Sequence, residues 1–307
     1  MSNELLKEAF GPTQTEYGSS RWKEYRTCGY AHHLRYVEGV QLIERPVYFE
    51  LGSLVHAVLG YLHLSVIAGR GLPDHELPDY ALALQEALDY AEERGYSLTT
   101  LDQVGNLLTR YLGHWKSPAT WPGHEILGVE VPVQLKLWDD SEPYTSRVDL
   151  VLRELSGTDE PGQIVLVDHK TRSSGVWAMT ANEDTVVDKL RDFCLKSAVN
   201  PQFMGSSYAA RETYGLDYYP AMIVNVLVKT QVPSFLRANV RFTDKAMRQW
   251  VEAQEAWVRD SWHDKRRNYD ACSPPIGQPC WAFEHCHGTG KGYTARKPWK
   301  GATDAEK

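Results

Sequence analysis

No secretory leader is expected at the start of the chain: its first eighteen residues, MSNELLKEAFGPTQTEYG, are mostly polar and hold no long apolar core. Long hydrophobic runs are equally scarce. The one long uncharged stretch, residues 51–69, holds three glycines, two serines and two histidines, and its Leu51, Leu54, Val55, Val58, Leu59, Leu62 and Val66 follow helical spacing. That pattern predicts a buried helix rather than a membrane span. Cysteine is sparse, with five in 307 residues, and no C-x2-C knuckle occurs. Five thiols without a leader imply a reducing compartment, hence a cytoplasmic protein in which grouped cysteines point to metal rather than disulfides. An excess of positive charge is also missing, since 33 Lys and Arg face 40 Asp and Glu. Any nucleic-acid contact must therefore come from local patches. No internal repeat is present.

What is there divides by period. A helix capped by Ser19 or Ser20 is predicted to run to about Val37, with further helices near 50–69, 79–94 and 100–116. The pattern then becomes strand-like in EILGVEVPVQLKLW (125–138), SRVDLVLREL (146–155) and QIVLVDHK (163–170), joined by DDSEPY and SGTDEPG turns. Short connections make these three strands antiparallel neighbours. Helices follow at about 183–196 and 201–214, strands at PAMIVNVLVK and SFLRANVRF, and a final helix at 244–267. The expected fold is an α/β arrangement with a mixed sheet covered by helices from both ends of the chain.

The third strand ends in IVLVDHKT, where Asp168 and Lys170 share one face and His169 takes the other. Charges on an apolar strand are costly unless paired or engaged with metal, so a strand-end ion pair and a chemical site both fit. Asp149, in RVDLVL on the neighbouring strand, adds a second carboxylate. Two close carboxylates repel, and a divalent cation relieves the repulsion while leaving room for water and a phosphate oxygen. Oxygen ligands favour magnesium or manganese, and Lys170 can activate the water.

Asp149 followed by Asp168-His169-Lys170 resembles the PD-(D/E)XK nuclease motif, in which an acid on one strand precedes acid-x-lysine on the next. ELGSLVHAVLGYL resembles the helical G-x-x-x-H element of the RecB-like branch of that superfamily, which implies a metal ligand at His56. On a helical wheel His56 lies about a third of a turn from the centre of the aliphatic face, whereas His63 is read as an ordinary capped or solvated histidine. NPQFMGSSYAARETYG resembles the family's Gln-x-x-x-Tyr helix through Gln202. Ser206 occupies the tyrosine position, and Tyr208 comes two residues later, off the face of Gln202. The resemblance implies a restriction-endonuclease-like core in αβββαβ order. Its catalytic set is Asp149, Asp168, Lys170 and Gln202, and its metal set is His56, Asp149, Asp168 and the backbone of His169. Glu130, in GVEVPV, stands where relatives often carry a glutamate and is read as a structural ion-pair partner.

Cys28, with Cys272, Cys280 and Cys286 in CSPPIGQPCWAFEHC, follows the one-plus-three plan of RecB-like and CRISPR-associated iron-sulfur nucleases, and RNYDAC resembles phage-encoded members. Four thiolates suit a [4Fe-4S] cluster, with zinc as the alternative. Such a cluster closes a loop of about 240 residues and fastens the C-terminal strap to the N-terminal helix. Cys194 is read as a core thiol. The implied organisation is a helical region over 1–120, a nuclease core over 121–268, a cysteine strap over 269–290 and a basic tail over 291–307. Lys265, Arg266 and Arg267 are candidate DNA contacts, and the eight acids between Asp74 and Asp102, with Arg94 the sole base, are expected to face away from DNA. The resemblance implies a DNA exonuclease acting on single strands or free ends, with a possible recombination partner protein and no membrane. A structure-selective or flap endonuclease and a non-cleaving DNA-binding protein on the same fold are the competing readings.

Overall fold

The computed structural model describes residues 2–10, 19–42, 47–70, 79–115, 121–137, 143–157, 160–173, 193–229, 233–261 and 293–295, together with Cys280, Ala282 and Cys286. Five strands form the central sheet in sequential order: β2 (His124–Leu135), β3 (Tyr144–Glu154), β4 (Ile164–Ser173), β5 (Ala221–Lys229) and β6 (Ser234–Val240). The first three are antiparallel neighbours, β4 and β5 run parallel, and β6 returns antiparallel. A parallel pair needs a crossover connection, and α7 (Pro201–Tyr214) lies within it.

Helices cover both faces, which is why β5 reads AMIVNVLVK with only Asn225 breaking an apolar run. One face is covered by α4 (Val47–Ala68), α5 (Tyr80–Glu93) and α6 (Leu98–Trp115), whose Leu54, Val58, Leu62, Leu108 and Tyr111 pack with Leu150, Leu152, Val165 and Val167. The other is covered by α7 and α8 (Asp244–Ser261), where Phe203, Met204, Met247 and Trp250 meet Leu166, Val224 and Val226. Helix α4 is long and apolar enough to cross a membrane, and 67% of its apolar window is buried inside the protein.

The N-terminal region departs from the sequence expectation in two ways. A short helix, α1 (Ser2–Ala9), precedes the rest and places Leu6 and Ala9 against the α4 core, an amphipathic pattern too brief to stand out in a polar segment. The single helix expected from 19 to 37 is instead α2 (Ser19–Thr27), α3 (Gly29–His32) and a π-helical turn (His33–Val37), broken where Cys28 adopts an extended conformation with φ −160° and ψ 112°. A second, two-stranded sheet pairs β1 (Val40–Leu42) with β7 (Tyr293–Ala295). Most of the helix expected at 183–196 lies outside the described residues, as do Cys272, Lys265, Arg266 and Arg267.

Candidate active site

The site forms where the regular strands are interrupted. The β2–β3 ladder holds Val129 against Leu150 and Val131 against Val148, and Glu130 and Asp149 lie between these pairs. Glu130 has φ +51°, in the left-handed region that a glutamate enters only at a cost. Val148 packs under α7 and α8 while Leu150 packs under α4, although residues two apart on a regular strand share a face. The strand therefore rolls at Asp149.

The β3–β4 pairing ends one step away, at Leu150 against Val167. Beyond it, the His169 N–H donates to Asp149 Oδ2 at 2.5 Å, so a side chain takes over from a strand carbonyl. This arrangement sets the Asp149 carboxylate against the peptide that joins Asp168 to His169.

Helix α4 brings His56 to the same place, with Nδ1 3.4 Å from Asp149 Oδ2. One ligand atom each from His56, Glu130 and Asp149 lie within 4.8 Å of one another. Glu130, read from the sequence as an ion-pair partner, thus joins a potential metal-ligand group. The donor types, two carboxylates and an imidazole, fit a divalent cation. Burial and the neighbouring Asp149 push the Glu130 carboxyl up to about 7. Burial opposes the charged form of both His56 and Asp149, but their mutual attraction prevails: His56 rises to about 9 and Asp149 is held well below the usual carboxylate range. Without a cation the imidazolium offsets the Asp149 charge; a bound cation would take that proton's place, because a ligating imidazole is neutral.

Asp168 and Lys170 point to the α7 face. Lys170 Nζ lies 2.9 Å from Asp168 Oδ1 and 2.7 Å from Oδ2, and Gln202 Nε2 donates to Oδ1 at 3.1 Å. Burial raises the Asp168 carboxyl above its ordinary value against the pull of Lys170. Gln202 is positioned by the start of α7, where Asn200 caps the Gln202 N–H at 2.9 Å and Pro201 sets the first turn. Ser206 Oγ accepts or donates a 2.7 Å bond with Ser146 Oγ and also reaches the Gln202 carbonyl at 3.0 Å. Tyr208 is not brought to this cluster; it sits edge-on to Tyr219 and Trp250.

The His169 ring turns to the opposite face, as its strand position predicts. It stacks on His63 at 5.7 Å between centroids, and Asn225 Nδ2 lies 2.8 Å from its Nδ1. His63 is not a solvated helix residue: it is buried and accepts from Trp121 Nε1 at 3.1 Å. Asn225, Tyr111, Trp121 and Arg237, which surround these histidines, went unnoticed in the sequence. The one available signal was a lone asparagine inside an apolar strand.

Away from this locus, Cys28 is buried with Ala31, Leu34, Val40 and Ala282, and Cys280 and Cys286 pack against the same small cluster. Cys194 joins the core beneath α7.

Residues 19–269 match the family model of the PD-(D/E)XK nuclease superfamily. No curated protein matches the chain. Among solved structures, a protein of Eubacterium rectale described as a candidate exonuclease aligns with a TM-score of 0.49 at 14% identity, covering 89% of this chain and 93% of that one. A protein named SSO0001 aligns with a TM-score of 0.24 at 12% identity, covering 90% of this chain and 96% of that one.

Proposed function

Because the chain belongs to the PD-(D/E)XK nuclease superfamily, we propose that it is a magnesium- or manganese-dependent exonuclease hydrolysing DNA phosphodiester bonds. The observation that carries this reading is the convergence of His56, Glu130 and Asp149 beside the Asp168–Lys170 pair. His56, Glu130 and Asp149 would hold the cation, with Asp168 and the His169 backbone at its edge. When bound, the cation supplies Lewis acidity to the phosphate and lowers the pKa of water.

The remaining work falls to the chain. Asp168, itself bonded by Gln202, holds the Lys170 ammonium in place, where it orients the attacking water and offsets charge growing on the phosphate oxygens. Asp149 fixes the peptide between Asp168 and His169 through the His169 N–H. Action on single strands or free ends, a place in phage recombination or DNA processing, a cytoplasmic site of action and a recombination partner follow from the RecB-like resemblance. Lys265, Arg266 and Arg267 are the proposed DNA contacts.

The same resemblance assigns Cys28, Cys272, Cys280 and Cys286 to a [4Fe-4S] cluster, or to zinc. The gathering of Cys28, Cys280 and Cys286 in one cluster supports a shared metal.

The test is cleavage by purified Lys170→Ala on end-labelled linear DNA and closed circles with magnesium or manganese. A loss of about 10²–10³ in kcat is expected, as for removal of a charge-stabilising donor. Unchanged cleavage overturns the mechanism. Cutting of closed circles by the wild type moves the reading to an endonuclease, and DNA binding without cleavage in either metal moves it to a binding protein.

A further inference from the structure

Six residues from separate parts of the fold form a closed ring behind the active site. His169 and Asn225 are register partners across β4 and β5, and Asn225 and Arg237 across β5 and β6. Asn225 Nδ2 reaches His169 Nδ1 at 2.8 Å and donates to the Tyr111 hydroxyl at 3.1 Å. Arg237 donates to the same hydroxyl at 3.1 Å, while its guanidinium lies 3.9 Å from the Trp121 ring centre and 3.7 Å from that of Trp115. Trp121 Nε1 donates to His63 Nε2 at 3.1 Å, and His63 stacks on His169 with 9° between the ring planes, which closes the circuit.

As placed, the Asn225 amide nitrogen donates and His169 Nδ1 accepts. The ring's orientation is then fixed on two sides, by Asn225 and by the face of His63. His169 in turn touches the site twice. Its backbone N–H donates to Asp149, and its ring meets the His56 ring edge-on at 5.9 Å between centroids. His63 lies seven residues after His56, two helical turns along the same face of α4. The stack therefore ties the helix that bears His56 to the strand that bears Asp168 and Lys170.

We propose that Asn225 is a positioning residue for the metal site, acting through His169 on His56 and Asp149. This rests on the nuclease reading above. Groups that orient metal ligands from behind set metal affinity even though they never touch the ion, and their loss weakens binding by about 10–100-fold. A purely structural asparagine in the same place would change stability and leave affinity alone. Asn225→Leu leaves His169 Nδ1 without its donor at a cost in stability, so folding is measured beside affinity.

The test is manganese binding to the full chain without DNA, by titration calorimetry or electron paramagnetic resonance, in the wild type, Asn225→Leu and Tyr111→Phe. Asn225→Leu is expected to weaken binding at least about tenfold, with kcat restored at saturating manganese. Tyr111→Phe keeps the shape of the side chain and breaks the ring at a member that touches neither His56 nor Asp149, so a smaller change in the same direction is expected. Wild-type affinity within twofold in folded Asn225→Leu overturns the inference. If that variant fails to fold, wild-type affinity in Tyr111→Phe does so. A wild-type protein that binds no manganese overturns the nuclease reading itself, which keeps the two failures distinct.

Discussion

Glu130 bears the strain of the site twice, in its backbone at φ +51° and in a carboxyl raised to about 7. Such strain persists where surrounding structure enforces it, and it concentrates at functional sites. A carboxyl whose folded value lies above its ordinary 4.5 holds its proton more tightly folded than unfolded. That contribution is full below 4.5 and is lost as pH rises through about 7. At pH 8, in chelator, ionised Glu130 beside Asp149 should therefore destabilise the protein. Glu130→Gln is expected to raise the metal-free Tm at pH 8 by a few degrees, of the order expected for about 1–3 kcal/mol, and to abolish the rise in Tm that manganese gives the wild type. Thermal unfolding at pH 5 and 8, with chelator and with manganese, checks this. A variant that still gains stability from manganese removes Glu130 from the ligand set. In the sequence Glu130 passed for an ion-pair partner, because nothing in GVEVPV signals a left-handed residue. That Asp168 and Lys170 share a face, by contrast, was legible from strand alternation alone.

Element by element, period carried most of the fold: alternation marked the strands around 125–170, and 3.6-residue spacing marked α4, α5, α6 and α8. The polar ring was not legible, since its bonds join positions 56 to 126 residues apart and no local pattern announces them. Helix α7 shows how packing explains a residue that propensity does not favour. Gly205 sits mid-helix, where glycine costs up to about 1 kcal/mol against alanine. A Cβ there would run into the Tyr144 hydroxyl and lie 2.8 Å from Trp250 Cζ2. Tyr144 on β3 and Trp250 on α8 meet edge-on at 5.4 Å, so neither ring can retreat without disturbing the other. Gly205→Ala, an improvement by propensity, is expected to cost about 1–3 kcal/mol through overpacking. Denaturant unfolding measures it. Because Gln202 lies one turn earlier, the displaced helix should also loosen its 3.1 Å bond to Asp168 and lower kcat. A Gly205→Ala protein as stable and active as the wild type would show that α7 shifts freely over β3.

At the scale of the whole molecule, the two ends of the chain are fastened together away from the active site. Strand β1 pairs with β7, placing Val40 against Ala295. Val40 also belongs to the small cluster that holds Cys28, with Cys280 and Cys286 against it. Short β1 and β7 strands of three residues each make a weak clasp by themselves. A metal held by Cys28 and the C-terminal cysteines would strengthen it by restricting the unfolded chain, with a loop-closure term of up to about 5 kcal/mol for some 240 residues. The extended backbone at Cys28, which interrupts an otherwise continuous helical segment, is the local feature that turns its side chain out of the helical series. We therefore expect Cys28→Ser, purified without oxygen, to lose iron and its broad absorbance in the blue and to melt several degrees lower. Its manganese affinity at His56, Glu130 and Asp149 should be retained, because those ligands are held by α4, β2 and β3 rather than by the clasp. Metal content, visible spectrum, Tm and manganese titration on one preparation decide it. A colourless wild type carrying zinc would keep the clasp and change its metal. Loss of manganese affinity along with the iron would mean that the joined termini hold the active site in shape and that the two sites are not independent.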